Sequence, residues 1–302
     1  MKRRLILLGI LALCAAALLF VPLPIPPTVA GRQIENAGHM PLFMLLTFVL
    51  IVILRRDFGL EGWRLYGTAG VVGVFAGLLS EVIQRPLRRD ASWEDVLADA
   101  LGVVCALALH ALFARGSSMP RKARVAAFAI AAACIVVYSA PLVRMTRAYL
   151  HRNAQFPVLA DFRSNLEMFW VVGYGVNRAQ VGDALEVEFR EEQFPGVSLH
   201  EPVADWSKFR TLIIDVGNPD PVRLRLTVRV HDKHHNKQFA DRFNRSFELS
   251  GGERREIRIP LDDIQRGPRN RLMDLRHMSD ITLFRGDNEG SRRLRVYSLR
   301  LE

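Results

Sequence analysis

Every long uncharged stretch of this chain lies before residue 144, and every strictly alternating apolar–charged stretch lies after about residue 180. A long apolar run can satisfy its backbone inside hydrocarbon only as a helix. Period-two alternation instead builds a strand with one dry face and one wet face. The 302 residues therefore divide into two parts of different physical type. The expected fold is an α-helical transmembrane bundle of about five spans followed by an all-β sandwich.

The formal charge of +10 is unevenly spread: residues 1–150 hold 16 Lys and Arg against 8 Asp and Glu, and the remainder 25 against 23. The surplus sits in the loops between apolar runs, where it reports topology and not a nucleic-acid surface. No nucleic-acid partner is expected. Cys14, Cys105 and Cys134 all lie inside apolar runs. The later part has none, and a domain of roughly 140 residues can build a sufficient core without disulfides even in an oxidising space.

Five spans are expected. Leu5–Val21 follows Lys2, Arg3 and Arg4 and precedes the proline-rich segment 22–27; with no small-residue cleavage site in evidence, it reads as an uncleaved anchor. Met40–Leu54 is the second, short unless extended back through Ile34, and Leu65–Ser80 the third. Val96–Ala114 and Val125–Val143 complete the set. Gly73 and Gly77, four apart on one helix face, let a neighbouring helix approach closely. Basic residues at the N-terminus, at Arg55, Arg56 and Arg64, and at Arg115, Arg121, Lys122 and Arg124 assign those segments to the cytoplasm. The later half then lies on the outer side of the plasma membrane. Arg85, Arg88 and Arg89 break this rule, which points to a task for them in the outer loop.

That loop carries the most informative cluster. Glu81 and Gln84 share a face near the outer end of the third span. Arg88 and Arg89 follow; Ser92 opens the next helix in a capping pattern; Asp95 and Asp99 share one face of the fourth span, with Gly102 three residues on. His39 lies on the same side of the membrane. Ionisable groups inside a span are costly and either pair or serve a function. Three readings stay open: ion pairs that pin the helices, a polar pocket whose arginines suit a phosphate or carboxylate head group, and proton transfer with Glu81 or Asp95 as general base. No spacing supports a metal site, a phosphate loop or a nucleophile elbow.

These residues carry a resemblance. A histidine just before an apolar span, here in Glu35–Asn36–Ala37–Gly38–His39, is followed by Glu81, Gln84, Arg88, Ser92, Asp95, Asp99 and Gly102. The pattern resembles the VanZ-like family of small bacterial membrane proteins over residues 1–115, extending toward 143. The resemblance implies an envelope-related membrane protein. The sequence departs from the family in having Glu35–Asn36 where Asp-Lys is usual, and Asp99 where asparagine is usual. Both changes make the site more acidic.

Residues 144–179 read as a linker, with an amphipathic helix over Asp161–Trp170. Beyond it, strands are expected at 185–189, 210–216, 222–230, 243–249, 254–260, 280–284 and 294–301, separated by glycine turns. The strand at 222–230 should carry a wet, basic face. Seven or eight short strands make a sandwich. The order of "DWSKFRTLIIDVGNP", "DRFNRSFEL", "EIRIPLDDI" and "RVYSLRLE" resembles the galactose-binding-like jelly roll of carbohydrate-binding modules over residues 180–302. That resemblance implies exposed rings and polar groups on one face: Trp170, Tyr174, Phe239, Asp232, His234, His235, Asp241 and Arg242, with Trp206 and Phe243 assigned to the core. A structural calcium is common in such sandwiches, but no ligand run indicates one, and no cofactor is expected.

The expected function is binding and assembly: a membrane-anchored domain engaging an envelope polysaccharide or lipid-linked saccharide, with membrane lipids as the other partner. In the bundle, the ligand candidates are His39, Glu81, Gln84, Arg88, Asp95 and Asp99. The alternative is an outer-leaflet enzyme using Glu81 or Asp95 with Arg88.

Overall fold

The computed structural model describes residues 28–84, 93–114, 119–286 and 290–302. The first expected span, the proline segment, Arg85, Arg88, Arg89 and Ser92 lie outside the described residues, as does the side chain of Gln84. The chain forms two compact units, Met1–Val143 and Arg144–Glu302.

The first unit is helical: α1 (Val29–Asn36), α2 (His39–Asp57), α3 (Gly62–Gln84), α4 (Trp93–Phe113) and the start of α5 (Arg121–Gln155). Thr28 caps α1 by accepting the Gly31 N–H at 2.8 Å. Four helical stretches among the described residues are long and apolar enough to cross a membrane: Val29–Asp57, Gly62–Ile83, Trp93–Phe113 and Arg121–Gln155. The expected span at 40–54 is longer than its apolar run because α1 precedes it across a turn at 37–38. Three glycines set the helix spacing. A Cβ on Gly73 would lie 2.9 Å from Val103 Cγ2, one on Gly77 3.0 Å from Asp99 Cβ, and one on Gly102 2.4 Å from the Met40 carbonyl oxygen. Polarity is inverted relative to a water-soluble bundle. Phe75, Phe128 and Val136 are exposed, whereas His39, Thr47, Ser80, Glu81, Asp95 and Asp99 are buried.

The second unit is a two-sheet antiparallel sandwich of eleven strands among the described residues. One sheet runs β3 (Val176–Val181), β4 (Ala184–Phe189), β11 (Arg293–Leu301), β6 (Thr211–Gly217), β9 (Arg254–Pro260), with β1 (Val158–Ala160) also on β11. The other runs β2 (Val171–Tyr174), β5 (Gly196–His200), β10 (Met278–Arg285), β7 (Leu224–Asp232), β8 (Phe243–Leu249). The alternation read at 222–230 is realised on β7, where Leu224, Leu226, Val228 and Val230 enter one core with Leu212, Ile214, Ile257, Ile259 and Val296. Trp206 and Phe243 are buried in that core.

The segment expected as a linker differs. No helix forms over 161–170 beyond the 3-10 turn Glu167–Phe169. The buried Glu167 carboxylate accepts the N–H groups of Asp161, at 3.1 Å, and of Phe162. Held in this loop, Phe162 and Trp170 enter the sandwich core, while 158–160 and 171–181 become strands. Burial is the largest influence on the Glu167 carboxyl and pushes its pKa up against the hydrogen bonds that lower it. The C-terminal end of α5 belongs to this unit as well. Ala148 lies in its core, Tyr149 donates to Glu201, and Arg152 donates to the Glu201 carbonyl at 2.5 Å.

Candidate functional site

Strands β5, β10 and β7 each place alternate residues on the face away from the core. Val197, Leu199, Ile281, Leu283, Val228 and Val230 point inward. The register lines up the intervening residues in rows across the sheet. Tyr174 stands opposite Gly196, which stands opposite Phe284. Ser198 is opposite Thr282, which is opposite Arg229. His200 is opposite Asp280, which is opposite His231. These rows floor a cleft of about 380 Å³, closed at its sides by Phe194, His235, Lys237 and Arg242.

Gly196 makes the floor possible. A Cβ there would lie 2.4 Å from the Leu283 carbonyl oxygen and 2.5 Å from Phe284 Cβ. Its absence leaves room between Tyr174 and Phe284. Tyr174 is 50% exposed and Phe194 57%, and the Phe194 ring meets Phe284 edge-on with centroids 6.0 Å apart. Rings at a cleft wall with hydrogen-bonding groups on its floor can hold the apolar face of a flat ligand while reading its hydroxyls.

The floor is pre-organised by a relay. The Tyr174 hydroxyl lies 3.1 Å from His200 Nε2, and His200 Nδ1 lies 2.6 Å from Asp280 Oδ2. Thr282 donates to Asp280 Oδ1 at 2.8 Å and lies 2.7 Å from the Ser198 hydroxyl. His231 stacks on His235 at 4.5 Å between centroids. Burial pushes the His231 pKa down, against the pull of Asp280. Burial also lowers the pKa of Arg229, and the neighbouring Arg242 adds to that.

Of the residues singled out from sequence, Tyr174, His235 and Arg242 line this cleft. Trp170 does not; it is buried against the core. Asp232 and Asp241 are gathered by Arg271, a residue that sequence reasoning did not single out. Arg271 donates to Asp232 at 2.6 and 2.7 Å and to Asp241 at 2.6 Å. Arg271 is the main reason that the Asp241 carboxyl is held at about 2. Burial pushes Asp232 up, but Arg271 and the Asp274 N–H outweigh it and leave the carboxyl below its ordinary value. The two carboxylates in turn raise the Arg271 pKa. His234 lies apart, near Asp274 and His277, and the ligating atoms of these three fall within 4.8 Å of one another. Phe194, Ser198, His200, Asp280, Thr282 and Phe284 were also missed; only the strand alternation around 280–284 gave any signal.

In the helical unit, His39, Glu81 and Asp99 converge from α2, α3 and α4, with their ligating atoms within 4.8 Å of one another. His39 Nδ1 pairs with Asp99 Oδ1 at 3.0 Å. Asp95 is buried one turn away from Asp99 and also borders a groove of about 330 Å³ with Gln33, Asn36 and Tyr138. Sequence spacing pointed to no metal site; the fold brings His39, Glu81 and Asp99 together from three helices, and His234 beside the neighbouring Asp274 and His277. His110 pairs with Tyr66 at 3.0 Å.

No family model matches this chain, and no curated protein does. Among solved structures, the chain is similar to a family 11 carbohydrate-binding module from Clostridium thermocellum in complex with a β-1,3-1,4-mixed-linked tetrasaccharide. The identity is 17%, covering 48% of this chain and 93% of that one, with a TM-score of 0.37. An agarase matches at 19% identity over 48% of this chain and 26% of its own, with a TM-score of 0.39. A mutant of a family 29 carbohydrate-binding module matches at 17% identity over 47% and 86%, with a TM-score of 0.33.

Proposed function

We propose that this chain is a multi-pass membrane protein of a bacterial cell envelope whose β-sandwich binds a polysaccharide on the outer side of the plasma membrane. The observation that carries the reading is the cleft. It has ligand-pocket dimensions, two half-exposed rings, and a floor of hydroxyl, imidazole and carboxylate groups locked by mutual hydrogen bonds. Such a floor reads sugar hydroxyls with little reordering of side chains.

The membrane part of the proposal rests on inverted polarity: apolar side chains face outward and the ionisable ones inward, the arrangement that lipid requires. The basic segments at the N-terminus, at 55–64 and at 115–124 assign the cytoplasmic side. The likeness to VanZ-like proteins gains support from the convergence of three of its motif positions, His39, Glu81 and Asp99, at one buried point. We read the His39–Asp99 pair as a lock between α2 and α4.

The test is retention of the full chain, held in lipid nanodiscs, by a panel of bacterial polysaccharides and peptidoglycan fragments. Retention competed by a soluble oligosaccharide supports the reading. A folded protein that binds no member of the panel overturns it.

A further inference from the structure

Three cations line the cleft, and none has a carboxylate within ion-pairing distance among the described residues. They are Arg229, Lys237 and Arg242. Among the described residues the one carboxylate that lines the cleft, Asp280, is already engaged by His200 and Thr282. The other sheet differs. There Arg254, Arg295 and Arg300 each hold a carboxylate, at 2.7, 3.1 and 2.7 Å.

The cleft arginines are instead held by rings. The Arg229 guanidinium stacks 4.6 Å over Phe284, and Arg242 lies 5.2 Å over Phe239. Stacking fixes a guanidinium plane while leaving its N–H edge available for a planar, bidentate acceptor. Arg229 gains only a long 3.4 Å contact to Asn244, and Arg242 Nε is buried with no hydrogen-bond partner among the described residues. Half-buried cations without a counter-ion are unfavourable unless a ligand supplies one. Burial lowers the pKa of both guanidinium groups, as expected for cations waiting in a partly dry site.

We infer that the cleft is built for an acidic saccharide, one bearing a carboxylate or sulfate, with its charge held by Arg229, Arg242 and Lys237 and its ring against Tyr174 and Phe194. This deepens the proposed polysaccharide reading and rests on it. A carboxylate or sulfate accepts two parallel N–H bonds from an arginine, which a sugar hydroxyl cannot do.

The experiment is calorimetric titration of the full chain in nanodiscs with matched probes. These are neutral cello-oligosaccharides, oligogalacturonates, sulfated carrageenan oligosaccharides and, as a polyanion without sugar, inorganic polyphosphate. The expected result is binding of at least one acidic oligosaccharide about tenfold or more tighter than the neutral set, and weakened about tenfold by Arg229→Gln. Lys237 is exposed at the rim, so Lys237→Gln keeps the test open if Arg229→Gln folds poorly; it should weaken acidic binding by a smaller factor. Equal or tighter binding of neutral sugars overturns the inference while the polysaccharide reading stands. Equal binding of polyphosphate, or acidic binding indifferent to both substitutions, shows general charge attraction and also overturns it. Absence of binding to any saccharide overturns the polysaccharide reading itself.

Discussion

Replacing Arg271 by alanine takes three hydrogen-bond donors from two carboxylates at once. Asp232 is fully buried and receives two of those bonds; Asp241, nearly buried, receives the third. After the substitution Asp232 keeps only the backbone N–H groups of Asp274, at 2.8 Å, and His234, at 3.2 Å. An uncompensated buried carboxylate remains. Breaking such a pair from one side costs about 3–5 kcal/mol. For a unit of this size each kcal/mol lowers Tm by roughly 2–4 °C, so Arg271→Ala should lower it by roughly 6–20 °C. Asp232→Asn added to that variant should restore part of the loss, because an amide buries no charge. The assay is near-UV circular dichroism of the β-rich unit in the full chain against temperature. A shift under about 2 °C would refute the assignment of this network to stability. So would a larger shift that Asp232→Asn deepens.

The same network predicts acid sensitivity. Asp241 sits at about 2 when folded against an ordinary 3.8, so the unfolded chain takes up the proton first as pH falls. Its contribution is complete above the ordinary value and is lost as pH falls through the folded one. Asp241→Asn should therefore remove part of the decline in stability between about pH 5 and 2, measured by urea denaturation at a series of pH values. An unchanged slope would count against the pairing. Gly196→Ala should destabilise the sandwich by about 1–3 kcal/mol, because the atoms that its Cβ meets are backbone or fixed to it; a neutral effect in thermal melts would contradict the close approach of β5 and β10. In the bundle, His39→Ala should reduce the amount of folded protein recovered from membranes, and Asp99→Ala added to it should recover part of the loss, since the unpaired acid is then gone. Equal recovery of wild type and His39→Ala would show that the pair does not lock the helices.

The strands with unbroken alternation were legible in sequence: 243–249 and 254–260 are β8 and β9 to the residue. β2 and β5 were not. Each of VVGY and GVSLH carries a glycine, GVSLH sets it with Ser198 and His200 on the outward face, and their strand character comes from pairing with each other and with β10. The expected helix at 161–170 had the right apolar spacing, but Phe162 takes a left-handed φ of 55°, which a right-handed helix cannot hold, as its ring enters the sandwich core. The cleft was mostly invisible for a related reason. Its floor comes from residues 174, 196–200, 227–231 and 280–284, which only the register brings side by side. Tyr174 and Arg242 were found because an aromatic and a cation at strand ends stand out locally. Asp232 and Asp241 stood out equally, and nothing in the sequence shows that Arg271 engages them. In the bundle, each ionisable residue could be named from its apolar surroundings, but the contact between His39 and Asp99, sixty residues apart, required the helix packing.

The proposed saccharide site is the cleft on the five-stranded sheet. Its most direct test is equilibrium binding of the full chain and of its Tyr174→Ala and Phe194→Ala variants to the polysaccharide that retains the wild type. Both rings are at least half exposed, so their loss should leave the fold intact. Each substitution should weaken binding by roughly three- to tenfold, and the two together by more. Unchanged affinity in the double variant would place the saccharide elsewhere and contradict the account.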